Sequence, residues 1–318
     1  RLLLFHSGGI VPRRRGCDKS PCEKYLVSID PSGVKPEGSI DYAKRLIPAP
    51  AFDSQRSARY DEFRSPTMTL SSYDLLDTVD LAYDEAGDGS PLVLLHGLGS
   101  SRFDWALQLP AFVPRFRTIA VDLRGHGQSP KPPGPYRIAQ FAADVALLLL
   151  RLDARPAHIV ALSLGGAVAQ QVALDYPELV RSLVLVNTAS NFVSADWRQR
   201  MLGLKRFAGV YLQGMDKVAV DVADRLFPLL EQTPLRTEAV VRIASNDPQA
   251  YRASLWAIAR FNSTFLLELI TSPTLIVAGE QDATVSLAAK QVLAQGIPNS
   301  RLVIIPNSGH ATPIDQPE

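Results

Sequence analysis

Cysteine is nearly absent from this chain. Its 318 residues hold two, Cys17 and Cys22, both close to the N-terminus. Two thiols are too few for a four-thiolate zinc site, and no histidine is spaced from them as in a zinc finger. The pair is open to bridging or to staying reduced. A disulfide is dispensable at this length, because a chain of this size buries about 70–75% of its unfolded surface on folding. Net charge is nearly absent as well. Lys and Arg number 33 and Asp and Glu 32, a formal +1, which excludes a general pull toward nucleic acid or a membrane surface. No run of 18 or more apolar residues occurs, so no segment reads as a transmembrane helix. Histidine is scarce, five in all, and that scarcity narrows the search for a base.

What is present is ordinary globular composition, 46% hydrophobic and 20% charged. Its charge is unevenly placed. Residues 1–67 carry 12 basic against 8 acidic side chains, and the remainder 21 against 24. The first stretch is rich in Pro, Ser, Gly and Arg, lacks any period of 2 or 3.6, and contains PRRRG at Pro12–Gly16. It reads as a low-order N-terminal extension with a solvated basic run. The opening RLLLF is too short for a signal-peptide core. Met68 is the first methionine and regular patterning begins just after it. One domain is therefore expected over 68–318, in a cytoplasmic protein.

From Leu70 onward short apolar runs recur. YDLLDTVDLAYDEAG, Tyr73–Gly87, alternates like a hairpin. Strands are expected at PLVLLHG (from Pro91), TIAVDLRG (Thr118), HIVALS (His158), SLVLVNT (Ser182), TLIVAGEQD (Thr274) and RLVIIPNSGH (Arg301). Amphipathic helical stretches fall between them, at Arg137–Leu152, Gly165–Tyr176 and Ser286–Gln295. Strand–helix alternation with almost wholly apolar strands means a mostly parallel sheet with helices on both faces. Residues 189–271 hold no strand pattern, only helical ones such as DWRQRMLGLKRF and YRASLWAIARF. That gap is too long for a crossover and reads as a helical insertion. The helix that would cover the sheet after the last strand is expected to be missing, since the sequence stops at Glu318.

The stretch ALSLGGAVAQQ, Ala161–Gln171, places one serine between a buried strand and a glycine pair. A nucleophile on a tight strand-to-helix turn needs small residues two before and two after it, here Ala161 and Gly165. The helix that follows aims its free N–H groups and dipole at the reacting oxygen. Ser163 is the candidate nucleophile; a plain helix N-cap is the alternative for that residue alone. In such turns the partners follow in the order serine, acid, histidine. Asp282 ends the strand TLIVAGEQD, and His310 lies in NSGHATP past the last strand. Of the five histidines, only His310 follows Asp282. All three stand at carboxyl ends of parallel strands, where sheets of this type hold their sites. In HGLGSS, from His96, Gly97 is expected to turn the backbone sharply so that an N–H faces the pocket. The N–H groups of Leu98 and Leu164 are the candidate oxyanion donors. His96 is assigned a structural role. So is DLRGHGQS, Asp122–Ser129, where Asp122 and His126 lack a third metal ligand. Asp144 and Asp153 read as solvated helix-face charges.

With these residues the sequence resembles the α/β-hydrolase superfamily over about Leu70–Glu318, through HGLGSS, DLRGHGQS, ALSLGGAVAQQ, GEQD and SGH. The resemblance implies the α/β-hydrolase fold, with Ser163 as nucleophile, His310 as base, Asp282 as its orienting acid, and a helical cap over about 189–271. The usual glycine two before the nucleophile is Ala161 here. SLGGAVAQQVALDYPELVRSLVLVNT looks most like enol-lactonases of aromatic catabolism and the small esterases near them. A serine at this position argues against dehalogenase and epoxide-hydrolase relatives, which use aspartate. The implied activity is cleavage of a small, apolar ester or lactone, with no cofactor and no metal. Carbon–carbon bond hydrolysis, acyl transfer and a non-catalytic small-ligand receptor are alternatives on the same residues. Trp197, Phe207, Tyr211, Phe227, Tyr251, Trp256 and Phe261 are candidates for lining a pocket or packing the cap, and Arg206, Arg252 or Arg260 for holding a substrate carboxylate.

Overall fold

The structure, a computed structural model, describes residues 77–193, 201 and 208–318. The extension expected over 1–67, with Cys17 and Cys22, lies outside the described residues. So do Trp197, Arg206, Phe207 and most of DWRQRMLGLKRF.

The apolar runs become strands of one sheet: β2 Ser90–Leu95, β3 Phe116–Val121, β4 Ala157–Leu162, β5 Val180–Val186, β6 Thr274–Gly279 and β7 Ser300–Ile305. With β1, Tyr83–Ala86, the order is β1-β3-β2-β4-β5-β6-β7. Every pair is parallel except β1–β3. Alternate residues serve opposite faces of the sheet. Leu92 and Leu94 join Val160, Leu162 and Trp105 on one side. Val93 and Leu95 join Ile159 and Ala161 on the other. Both faces are covered, so the strands read as continuous apolar runs.

The hairpin expected over Tyr73–Gly87 does not form among the described residues. Instead β1 pairs antiparallel with β3, Tyr83 opposite Val121. β1 is an edge strand, and three of its four residues are exposed. Asp84 and Glu85 on it meet Arg102 and Arg117, at 2.6 and 2.5 Å, and such charges blunt an edge.

A short helix, α1 Leu109–Phe112, precedes β3. α2, Ile138–Arg151, and α3, Leu164–Asp175, cover the Val93 face. Phe141, Val145 and Leu149, one helical turn apart, are fully buried on α2, and each is worth about 1.5–3 kcal/mol of burial. Asp144 belongs to that buried side, which corrects its reading as a solvated charge. It has no exposed surface and accepts from Arg124 Nε (2.6 Å) and Nη2 (2.9 Å) and from the Val79 N–H (2.8 Å). Burial raises its carboxyl above the ordinary value despite Arg124. The guanidinium comes from a turn 20 residues away, which a helical wheel of α2 does not show. Asp153 is exposed beyond the end of α2.

Between β5 and β6 the chain leaves the sheet as α4 Gly214–Leu226, α5 Thr233–Ala244 and α6 Pro248–Arg260, then a 3₁₀ stretch, Thr264–Leu269. Asp247 caps α6, its carboxylate accepting the Ala250 N–H at 2.8 Å. The two ends of the excursion meet: Asn191 bridges Asn262, and the Ser263 N–H donates to the Ser190 carbonyl at 2.8 Å. α7, Leu287–Gly296, lies between β6 and β7, and one helical turn, α8 Thr312–Asp315, follows β7. Among the described residues no helix is long and apolar enough to cross a membrane.

Candidate active site

β4 ends at Leu162 and α3 starts at Leu164, which leaves Ser163 to make the whole turn at φ 53°, ψ −108°. An L-residue rarely adopts that conformation, and holding it costs about 1–3 kcal/mol. The surroundings supply the restraint. The Ser163 N–H donates to Val186 O at 3.0 Å, and its carbonyl accepts from the Ala167 N–H (3.2 Å) and the Thr188 hydroxyl (2.7 Å). A Cβ on Gly165 would lie 2.5 Å from Leu95 O and 2.8 Å from His96 O. The turn therefore packs directly on the end of β2. Ala161 is fully buried between Leu95 and Leu185 in register, so its methyl is accommodated in the core.

The loop after β7 brings His310 to this turn. Its Nε2 lies 3.0 Å from Ser163 Oγ, and its Nδ1 lies 3.0 Å from each oxygen of Asp282. A carboxylate only accepts, so Nδ1 carries the proton and Nε2 is free to accept from the serine hydroxyl. Ser163 and His310 are 9% and 7% exposed, so the pair is nearly shut off from water. The Asp282 carboxylate is wholly buried. Its Oδ1 accepts from the Thr284 and Val285 N–H groups at 2.8 and 3.1 Å, and its Oδ2 from Lys290 Nζ at 2.7 Å. Burial pushes this carboxyl up, but His310 and Lys290 together outweigh that and hold it at about 2.

Leu164 is the first residue of α3, so its N–H has no intrahelical carbonyl. The Gly165 N–H donates to His96 O at 3.1 Å, tying the start of α3 to the loop that carries Leu98. In that loop Gly99 takes the left-handed conformation, at φ 74°. A Cβ on Gly97 would make only ordinary contact with Ser163 Cβ, at 3.6 Å. Asn246, just beyond α5, donates to the Gly99 carbonyl at 2.8 Å, and the Tyr251 ring packs on Gly99.

The other histidines here are structural. His96 is fully buried; its Nδ1–H donates to Gly97 O (2.7 Å) and its Nε2 accepts the Leu123 N–H (3.0 Å). Burial lowers both His96 and His126, the latter to about 3. Asp122 is spent on the Arg102 guanidinium and on the Arg102 and Gln128 N–H groups, both at 2.8 Å. Among the described residues no group of three or more His, Cys, Asp or Glu side chains is placed to hold a metal. Phe227, Tyr251 and Phe261 are buried. Tyr211 and Trp256 are more exposed and bonded to each other at 2.8 Å. Arg252 and Arg260 lie over those two rings.

Two residues of the site escaped the sequence. Asn187, at φ 45°, donates from Nδ2 to Gly309 O, His310 O and Thr312 Oγ1 at 3.1, 2.9 and 2.7 Å. Its Oδ1 accepts the Gly279 N–H at 2.8 Å. One side chain thus joins the loops that carry Asp282 and His310. Lys290 is the other, a lysine with no exposed surface. Its signal was there: it sits three residues before Leu293, on the apolar side of α7.

The sequence profile of the alpha/beta hydrolase fold family matches residues 90–317. 3-Oxoadipate enol-lactonase 2 of Acinetobacter baylyi is 30% identical over 253 residues, 77% of this chain and 92% of its own length. The crystal structure of a hydrolase from Pseudomonas aeruginosa PA01 superposes with a TM-score of 0.70 at 32% identity, covering 76% of this chain and 91% of that one. The enol-lactonase from Burkholderia xenovorans LB400 superposes with the same TM-score at 26% identity, over 75% and 92%.

Proposed function

The chain belongs to the α/β-hydrolase fold family, and from that premise we propose that it is a serine hydrolase cleaving a small ester or lactone through an acyl-enzyme on Ser163. The observation that carries this reading is the continuous relay from Ser163 Oγ to His310 Nε2 and from Nδ1 to Asp282, each step 3.0 Å.

In this reading Ser163 Oγ attacks the carbonyl carbon while its proton passes to His310 Nε2. The imidazolium that forms is stabilised by Asp282, which stays ionised because its own proton affinity is held low. The N–H groups of Leu98 and Leu164 take the oxyanion, and losing one such donor costs about 10²–10³ in rate. His310 returns the proton to the departing alkoxide. Water, deprotonated by the same imidazole, then frees the acid and restores the serine. In a lactone the leaving oxygen remains tethered to the acyl group, so both steps give one product. The insertion is read as a cap, a role supported by Tyr251 and Asn246, which pack on and hydrogen-bond to Gly99 of the Leu98 loop. The names of the two enol-lactonase relatives support a lactone.

A chromogenic short-chain ester, offered to the full chain and to Ser163→Ala, tests the reading. Turnover is expected to fall at least about 10⁴-fold in the variant; equal rates refute it. A panel of enol-lactones beside simple esters tests the substrate class, with preference for the lactones expected. Serine modification without hydrolysis of any ester would favour acyl transfer or ligand reception.

A further inference from the structure

Lys290 is the unusual member of this site. A lysine is rarely fully buried, and then it is paired. Here the partner is the carboxylate that orients the base. Oδ2 of Asp282 sits between two cations-to-be, 2.7 Å from Lys290 Nζ and 3.0 Å from His310 Nδ1. Oδ1, which His310 Nδ1 also approaches to 3.0 Å, accepts the Thr284 and Val285 N–H groups, and these two backbone donors fix the plane of the carboxylate without the lysine. The ammonium adds charge where geometry is already supplied.

We propose that Lys290 is a positioning residue for the Asp282–His310 pair: its buried ammonium competes with the imidazolium for Asp282, and the base thereby sheds its proton, and works, at lower pH than the same triad without the lysine. This rests on the triad reading above. The physics is a like charge one carboxylate oxygen away, which disfavours the protonated imidazole. Burial lowers the Lys290 ammonium and Asp282 opposes that; acid solution is the side on which an amine keeps its proton.

Of the other charged groups on elements packed around the pair, Asp224 and Arg225 stand at the end of α4 that reaches the His310 loop at Gly309; Asp224 is exposed and lies 3.6 Å from Arg236, Arg225 is half-buried, and Arg301 on β7 is exposed. Asp315 of α8 accepts from the Ser308 hydroxyl (2.8 Å) and the Gly309 N–H (2.7 Å) beside His310. Its carboxyl is raised by burial, and its charge acts on the imidazole in the opposite sense to Lys290. Glu280, past β6, is exposed and takes the Asn307 N–H at 3.2 Å. Glu268, on the 3₁₀ stretch against α7, is exposed. Arg102 and Asp104, from the turn against α8, are committed to Asp84 and Asp122, and to Ser100 and Arg242.

The test is the pH profile of kcat/KM for ester hydrolysis in the full chain, Lys290→Met and Lys290→Gln, each checked for folding by circular dichroism. Met removes donor and charge; Gln can keep a donor without charge. Both variants are expected to move the acidic limb upward by about one pH unit, so that rates below the limb fall about tenfold. A limb that stays put in a folded variant, whatever happens to the plateau, overturns the proposal. Should both variants unfold, the wild-type chain carries the test through ¹⁵N-lysine NMR. A Lys290 Nζ resonance that titrates with the midpoint of the acidic limb supports the proposal, and one indifferent to it overturns it. Failure of the triad reading is separately visible, as undiminished turnover by Ser163→Ala.

Discussion

Replacing Gly165 with alanine asks whether the serine turn is as tightly bound to the sheet as its geometry implies. The added Cβ would sit 2.5 Å from Leu95 O, 2.8 Å from His96 O and 2.8 Å from Leu95 C. All three are backbone atoms. Leu95 is held in register on both sides, by Val121 and Ala161, and His96 O already accepts the Gly165 N–H. Relief needs a shift of about 1 Å in an interior packed to crystal density. Overpacking costs about 1–3 kcal/mol, and with no flexible side chain to yield, the upper end applies. For a domain of this size about 3 kcal/mol lowers Tm by about 6–12 °C. The same shift moves Ser163 against His310, and a 1 Å misplacement costs about 10²-fold in rate. Gly97→Ala is the matched control, since its Cβ finds only a 3.6 Å contact; its stability should stay within about 0.5 kcal/mol of wild type. Urea and thermal melts, with ester turnover measured beside them, read both variants. A Gly165→Ala protein that melts like wild type, or a Gly97→Ala protein equally damaged, would refute the reasoning.

Asp144→Ala leaves the fully buried Arg124 without its carboxylate and should cost about 3–5 kcal/mol in urea denaturation, whereas Asp153→Asn, at an exposed residue whose φ of 47° asparagine also tolerates, should change little. Asn187→Ala cuts the links from Gly279 to the histidine loop; kcat should fall at least about tenfold, with a smaller change in KM, in steady-state ester assays. Asp282, held at about 2 against an ordinary 3.8, contributes stability that is present above about pH 4 and lost as pH falls toward 2. Asp282→Asn should therefore melt below wild type at neutral pH, with the gap narrowing across that window.

The order of strands and helices was legible because both signals are local. Apolar runs such as PLVLLHG can only be strands buried on two faces, and the α2 stretch has a clean period. The spacing Ala161–Ser163–Gly165 announced its turn because few side chains fit a bend made against β2. What stayed hidden depended on distant partners. Asp144 looks solvated until Arg124 arrives from another turn, and Lys290, although it stands on the apolar side of α7, has no evident partner until Asp282 is folded over it. Tyr73–Gly87 alternated, but alternation does not name the partner strand, and β3 took that place. Glycine in HGLGSS marked a loop without saying which glycine takes the left-handed conformation; it is Gly99. Asn187 follows β5 as one polar residue among several, and its clamp exists only once β6 and the histidine loop lie side by side.

The central claim, that the serine of the turn becomes covalently acylated, is tested most directly by mass spectrometry. Protein quenched in acid during turnover of an activated ester should gain one acyl mass, on the peptide containing Ser163, and His310→Ala should show almost none. Acylation at another residue, or full hydrolysis with no acyl adduct detectable at any time, would contradict it.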